Sequence, residues 1–281
     1  MIGDVRTISP MEEKRMIRIF KSVVITWSST SLGLTCHFER SREAGKTSKI
    51  IFSLFFLAIS FFGISQNTHQ LYVSALAKDS LKDFDGALHD LDKAISLANN
   101  NDTLHVLHAK VEAETNNAKE AFAEVNEIIK HNHSYFDAYM LRGIIKAKSG
   151  NYEGAILDFN KCVKLNPKSA KAFYNRGLAH AYLDEIKQAI KDFSVSTDLD
   201  ASNSNVWFQR GYWKEIMGDL SGSLSDLNKA KELNPNDKEL YVSLAVTNFK
   251  LNNKDLACTY ITEAKNRGSS SADELILIMC K

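Results

Sequence analysis

The residues from which a metal or catalytic centre would first be built are few and scattered. His105 and His108 are three apart, which puts both on one side of a helix. His131 and His133 flank Asn132 in a polar stretch. A metal site takes three or more ligands from positions that converge, and a two-histidine pair falls short of that. His105 and His108 therefore read as packing residues and His131 and His133 as a solvated turn, with no metal and no cofactor expected. Gly45-Lys46-Thr47 has the ending of a phosphate-binding loop, but such a loop also carries a Gly five residues before Gly45, where Arg40 stands. Ser269 to Ser271 follow Gly268 and precede an apolar run, the pattern of one helix ending and the next starting. Cys36, Cys162, Cys258 and Cys280 lack the paired short spacing of a zinc site and are too few for a disulfide scaffold. With no nucleophile–base pair, no phosphate loop and no ligand set, the chain does not read as an enzyme.

The elements that carry these residues follow from composition and period. Hydrophobic residues make up 44% and charged residues 25% of the 281, values of a folded chain rather than a disordered one. Thirteen Gly and three Pro are too few for a turn-rich sandwich or barrel. Residues 1–65 carry a net charge of +4 and residues 66–281 a net −3, so the larger part offers no broad basic face to nucleic acid.

The larger part repeats itself. Leu141-Arg142-Gly143, Asn175-Arg176-Gly177 and Gln209-Arg210-Gly211 recur every 34 residues, as do Ala155/Phe159 and Ala189/Phe193, while Asn166-Pro167 and Asn234-Pro235 are two periods apart. Continuous frames run 68–101, 102–135, 136–169, 170–203, 204–237 and 238–271, leaving 272–281 as a coda. Each frame reads as two amphipathic helices, and neither buries its apolar stripe alone, so the frames must stack. A Gly repeated at one mid-helix phase (Gly143, Gly177, Gly211) implies close helix approach, with Ala155, Ala189 and Ala257 as its expected partners. The second frame is the most degenerate, with Ala109 at the Gly phase and Val125 at the Phe phase; the sixth has Ala245. Arg142, Arg176 and Arg210 share a phase, and Asp158, Asp192 and Asp226 follow each by sixteen residues. Leu244 and Tyr260 lose both charges together in the sixth frame, whereas Ser74 stands opposite Asp90 in the first. This covariation predicts structural Arg–Asp pairs between the helices, within a repeat or to its neighbour, favoured over Lys by bidentate geometry.

The period, the Gly, the Ala-x3-Phe pairs and the terminal Pro resemble the tetratricopeptide repeat over residues 68–271. The resemblance implies an all-α fold, a right-handed α-solenoid of helix–turn–helix repeats, with 272–281 as its C-terminal capping helix. It also implies that the first helices line a concave groove, here including Tyr72, Leu76, Met140, Ile144, Tyr174, Leu178, Tyr182, Phe208, Tyr212 and Phe249, with Lys110, Lys148 and Lys171 among them. Family members that clamp a peptide carboxylate use Lys and Asn at set places; Tyr72, Val106 and Tyr174 hold that phase here. An aromatic, apolar groove suits a protein or peptide segment, and the chain reads as a non-catalytic interaction scaffold. The alternative is a glycan-binding or enzyme-accessory module of the cell envelope, with aromatic rings stacking on sugars. Cys258 and Cys280 are nearly level across the hairpin of the last second helix and the coda, both expected on its apolar side, and are expected to form a disulfide. Cys162, at a phase held elsewhere by Ala94, Ala230 and Ala264, is expected to stay free and buried.

Ahead of the repeats, residues 50–64 (IIFSLFFLAISFFGI) form an uncharged run of 15, preceded by Lys46 and Lys49 and followed by Gly63-Ile64-Ser65. A basic flank, a short apolar stretch and a small-x-small exit make a secretory signal. Residues 50–65 are therefore expected to be a signal peptide cleaved near Ser65–Gln66, or an uncleaved signal anchor that would be the only membrane contact. Residues 1–45 show no sustained period, and residues 1–49 read as a leader, with the true translation start expected downstream of Met1. The expected location is exported, periplasmic or in the cell envelope, with the inner-membrane anchor as alternative.

Overall fold

The computed structural model describes residues 65–115 and 117–280. The leader and the apolar segment lie outside these, apart from Ser65; the described part of helix α1 covers 65–80. The other helices are α2 (Phe84–Leu97), α3 (Asp102–Glu114), α4 (Ala118–His131), α5 (Phe136–Lys148), α6 (Tyr152–Leu165), α7 (Ala170–Tyr182), α8 (Ile186–Leu199), α9 (Ser204–Ile216), α10 (Leu220–Leu233), α11 (Lys238–Lys250), α12 (Lys254–Asn266) and α13 (Ala272–Met279). No strand occurs among the described residues, and none of their helices is long and apolar enough to cross a membrane. Consecutive helices pack as hairpins, and each hairpin stacks on the next.

Local chemistry explains why the elements recur. The turn inside a hairpin takes one residue of positive φ, and that residue returns at the same phase as Lys82, Gly150, Asp184, Gly218 and Asn252. Asp83, Asn151 and Asp219 then cap the second helix by accepting from the backbone N–H of Gly86, Gly154 and Gly222. Between hairpins, Asn166 and Asn234 fold back onto the amides of Lys168 and Asn236 in Asx turns, and Asp200 does the same to Ser202.

The core is a size code written across each hairpin. A Cβ on Gly143 would lie 2.6 Å from the Phe159 ring, and one on Gly177 would lie 2.8 Å from the Phe193 ring. The glycine makes room for the large residue sixteen positions on. Ala189, an expected partner, comes within 3.3 Å of the Gly177 position through its carbonyl oxygen. Where the first helix carries Ala, the partner shrinks: Ala75 with Leu91, Ala109 with Val125 and Ala245 with Ile261, all fully buried. The degenerate second frame is thus a compensated pair.

Successive odd-numbered helices touch (α3 with α5, α5 with α7, α9 with α11), and no two even-numbered helices come equally close. The odd helices therefore form the inner side of the stack. At its end α13 buries Ala272 and Met279 on the last hairpin, but Leu277 and Ile278 face solvent. The coda's apolar side is accordingly only partly used.

Candidate functional site

A polar ladder runs between the two helices of the third, fourth and fifth hairpins. In the third, Arg142 donates to Asp158 through Nε (3.0 Å) and Nη2 (2.6 Å). Arg176–Asp192 and Arg210–Asp226 repeat that fork at 2.6–2.7 Å. The remaining Nη1 reaches back to the preceding hairpin, to Asn126, Asn160 and Thr197 respectively, so each guanidinium ties together three helices. Tyr139, Phe173 and Trp207, three residues before each Arg, lie under its guanidinium at 4.7–5.4 Å. A second cation four residues after the Arg completes the set: Lys146 on Asp158 at 2.7 Å and Lys214 on Asp226 at 2.8 Å. All three aspartates are buried. This is packing by charge, and each carboxylate is fully engaged.

The same rung in the second hairpin carries different chemistry. His105 takes the aromatic phase, His108 the Arg phase, Glu112 the Lys phase and Glu124 the Asp phase. Glu124 on α4 faces both imidazoles: Oε1 lies 2.5 Å from His105 Nδ1 and Oε2 2.8 Å from His108 Nδ1. Glu112 Oε2 lies 3.9 Å from His108 Nδ1. The hydrogen bond to Glu124 raises the His108 pKa above its ordinary value against the effect of burial. Burial pushes the Glu112 carboxyl up, with the Glu124 charge adding to it. Burial also acts upward on Glu124, yet the hydrogen bonds from His108 and His105 outweigh it and hold its carboxyl below the usual range. His105 and His108 are thus part of a four-residue cluster and not simple packing residues. The two glutamates were missed in the sequence, although the register that revealed the Arg–Asp pairs places them at the Lys and Asp phases. His131 and His133 do not join this cluster. His131 Nε2 lies 2.7 Å from an Asp102 carboxylate oxygen and His133 Nδ1 lies 2.7 Å from the Ile129 carbonyl.

On the inner side, two files of side chains run along the odd helices. One is Tyr72, Val106, Met140, Tyr174, Phe208 and Val242; the other, one turn on, is Leu76, Lys110, Ile144, Leu178, Tyr212 and Val246. Leu76 and Tyr212 are exposed, while Tyr72, Ile144, Tyr174, Leu178 and Phe208 are half-buried. Met140 is a correction: it is buried, packed with Ala155, Phe159 and Cys162 inside the third hairpin. Tyr174 leans on Phe193 with centroids 6.0 Å apart, and burial raises its phenol pKa. Tyr182 leaves the files to stack on Tyr152 at the start of α6, 4.8 Å away. Lys110 pairs with Asp79 at 2.6 Å and Lys148 with Glu114 at 2.7 Å, so both are inter-hairpin ties. Lys171 is exposed.

Cys258 and Cys280 are joined by a disulfide, with Cα atoms 5.1 Å apart. Cys280 is exposed and terminates α13 while Cys258 is half-buried, so the bridge lies at the edge of this contact, and Cys280 is not on the apolar side expected for it. Cys162 is free and buried, its thiol pushed up to about 12 by burial.

A stack of helical hairpins with a 34-residue period, small-for-large pairing inside the hairpins and an inner face of odd helices is an α-solenoid with the fold of tetratricopeptide repeats. The family model described as TPR repeat matches residues 143–184. Comparison of the sequence with curated proteins gives no match. Among solved structures, PilF of Pseudomonas aeruginosa superposes with a TM-score of 0.69 at 16% identity, covering 76% of this chain and 98% of that one. MamA of Desulfovibrio magneticus RS-1 superposes at 0.55 with 19% identity, over 59% and 93% of the two chains. YrrB, described as a TPR protein with an unusual peptide-binding site, gives 0.54 at 20% identity, over 63% and 92%. At these identities the likeness establishes the fold.

Proposed function

We propose that this chain is an exported scaffold of six tetratricopeptide repeats that holds an apolar protein or peptide segment along its inner face, without catalysis. The observation that carries the reading is the pair of files on the odd helices, in which Leu76 and Tyr212 are exposed without serving the hairpin cores. A preformed surface loses little ordering entropy on binding, and YrrB shares this fold and binds peptide. Export is supported by the basic-flanked apolar run at 50–65 and by the Cys258–Cys280 bridge, since disulfides persist in oxidising compartments. An array of apolar and amphipathic peptides, with a glycan array in parallel, tests the reading. Peptide capture should be lost in the double variant Leu76→Asp, Tyr212→Asp while its melting temperature holds. Capture of glycans alone, or peptide capture unchanged in this folded variant, overturns it.

A further inference from the structure

We propose that His108, Glu112 and Glu124 form a binding site for a divalent transition ion of the zinc class, clasping α3 to α4 in the second hairpin. One nitrogen or oxygen from each residue already lies within 4.8 Å of the other two. Zinc held at ~2.0–2.2 Å by N and O ligands sets tetrahedral neighbours roughly 3.4 Å apart. His108 Nδ1 and Glu124 Oε2, at 2.8 Å, are already closer than this, and Nδ1 and Glu112 Oε2 are 3.9 Å apart. Both nitrogen–oxygen distances thus bracket that spacing. His108 and Glu112 sit one turn apart on one face of α3, and Glu124 faces them from α4.

The surroundings have the form of an outer shell. His108 turns its other nitrogen, Nε2, toward Asp92 on α2 at 3.4 Å, the carboxylate–histidine arrangement that orients an imidazole ligand. His105 holds Glu124 through Nδ1 and is itself fixed by Nε2 on the Asn99 carbonyl at 2.8 Å. The charge is the second, independent argument. The equivalent rungs of the third and fifth hairpins place one carboxylate between an Arg and a Lys. Here the Lys is replaced by a carboxylate and the Arg by a histidine, so two partly buried carboxylates share one pocket with two histidines, His105 and His108, and with no permanent cation. A divalent cation restores the balance that Arg and Lys provide elsewhere. One imidazole and two carboxylates suit zinc and its neighbours over calcium, which takes six or more oxygens, and leave a fourth position to water.

The test uses the full chain, stripped with chelator, and Zn2+ as the only probe. Wild type should take up one tight Zn2+ per chain by equilibrium dialysis and melt at a higher temperature with it. The variant His108→Arg, Glu112→Lys, Glu124→Asp copies the third hairpin's rung; it should bind that ion at least about 100-fold more weakly and lose the thermal shift. His131→Ala, His133→Ala should bind as wild type does. Absence of uptake by wild type, full uptake by the triple variant, or loss in the His131/His133 variant overturns the site. Should the triple variant unfold, imidazole NMR of wild type decides: Zn2+ must shift the His108 resonances, and shifts confined to other histidines refute the proposal.

Discussion

The second hairpin and the third share one backbone plan and solve its interior differently. In the third, Gly143 admits Phe159, and Asp158 is closed off by Arg142, Lys146 and the ring of Tyr139. In the second, Ala109 and Val125 fill the same space, and the rung becomes His105, His108, Glu112 and Glu124. Steric degeneracy was compensated by shrinking the partner. Electrostatically the rung changed kind: a carboxylate stands at the Lys phase, and two histidines replace the permanent charges of Arg and Lys. A repeat that looks worn by its consensus residues is therefore sound in packing and distinct in chemistry.

The largest way to break the comparison is Arg176→Ala in the regular region, which leaves Asp192 buried without its fork. Removing one partner of a buried pair costs about 3–5 kcal/mol, read as a shift in urea midpoint. His108→Ala should cost clearly less, since His105 still holds Glu124. Equal losses would mean that the two rungs carry the same structural weight. Next comes Gly143→Ala, which pushes Cβ into Phe159 and should cost about 1–3 kcal/mol. Combining it with Phe159→Val, the second hairpin's own solution, should cost less than the two single losses added together. Strict additivity in that double-mutant cycle would refute the size code.

A smaller effect separates the rungs by pH. The folded state raises the His108 pKa, so it binds this proton more tightly than the unfolded chain. The stabilisation is complete below the unfolded value near ~6.5 and fades as pH rises through the folded value. Metal-free wild type should lose stability over that window, and His108→Arg should flatten the loss; urea melts from pH 6 upward measure both. The smallest change distinguishes hairpin turns. Asp184 adopts the positive φ that Gly150 supplies in the third hairpin, so Asp184→Gly should gain about 0.5 kcal/mol, the left-handed strain relieved less the added chain entropy.

The 34-residue period was legible because hairpins stacked on copies of themselves must place the same residue type at the same phase. From it came the all-helical solenoid, the turns and the phase of the Arg–Asp ladder, and the helix starts at Asp102, Phe136, Ala170, Ser204 and Lys238 keep that period. The level placement of Cys258 and Cys280 was likewise a matter of counting along two antiparallel helices. Depth was not legible. Met140 shares a file with half-buried Tyr174, yet it is buried. A helical phase fixes direction around an axis, whereas burial depends on how far the next hairpin closes over it. That a large residue also fills the space beside each mid-helix glycine was not foreseen for the same reason: contact distance is set by the size of the side chain across the gap, and the Phe159 ring reaches the Gly143 position. Nor did two histidines three apart reveal what they face, because Glu124 comes from the opposite helix. Sequence alone determined the register; only the tertiary structure decided which charges that register brings within hydrogen-bonding distance, because such contacts depend on the gap between helices and not on spacing along either one.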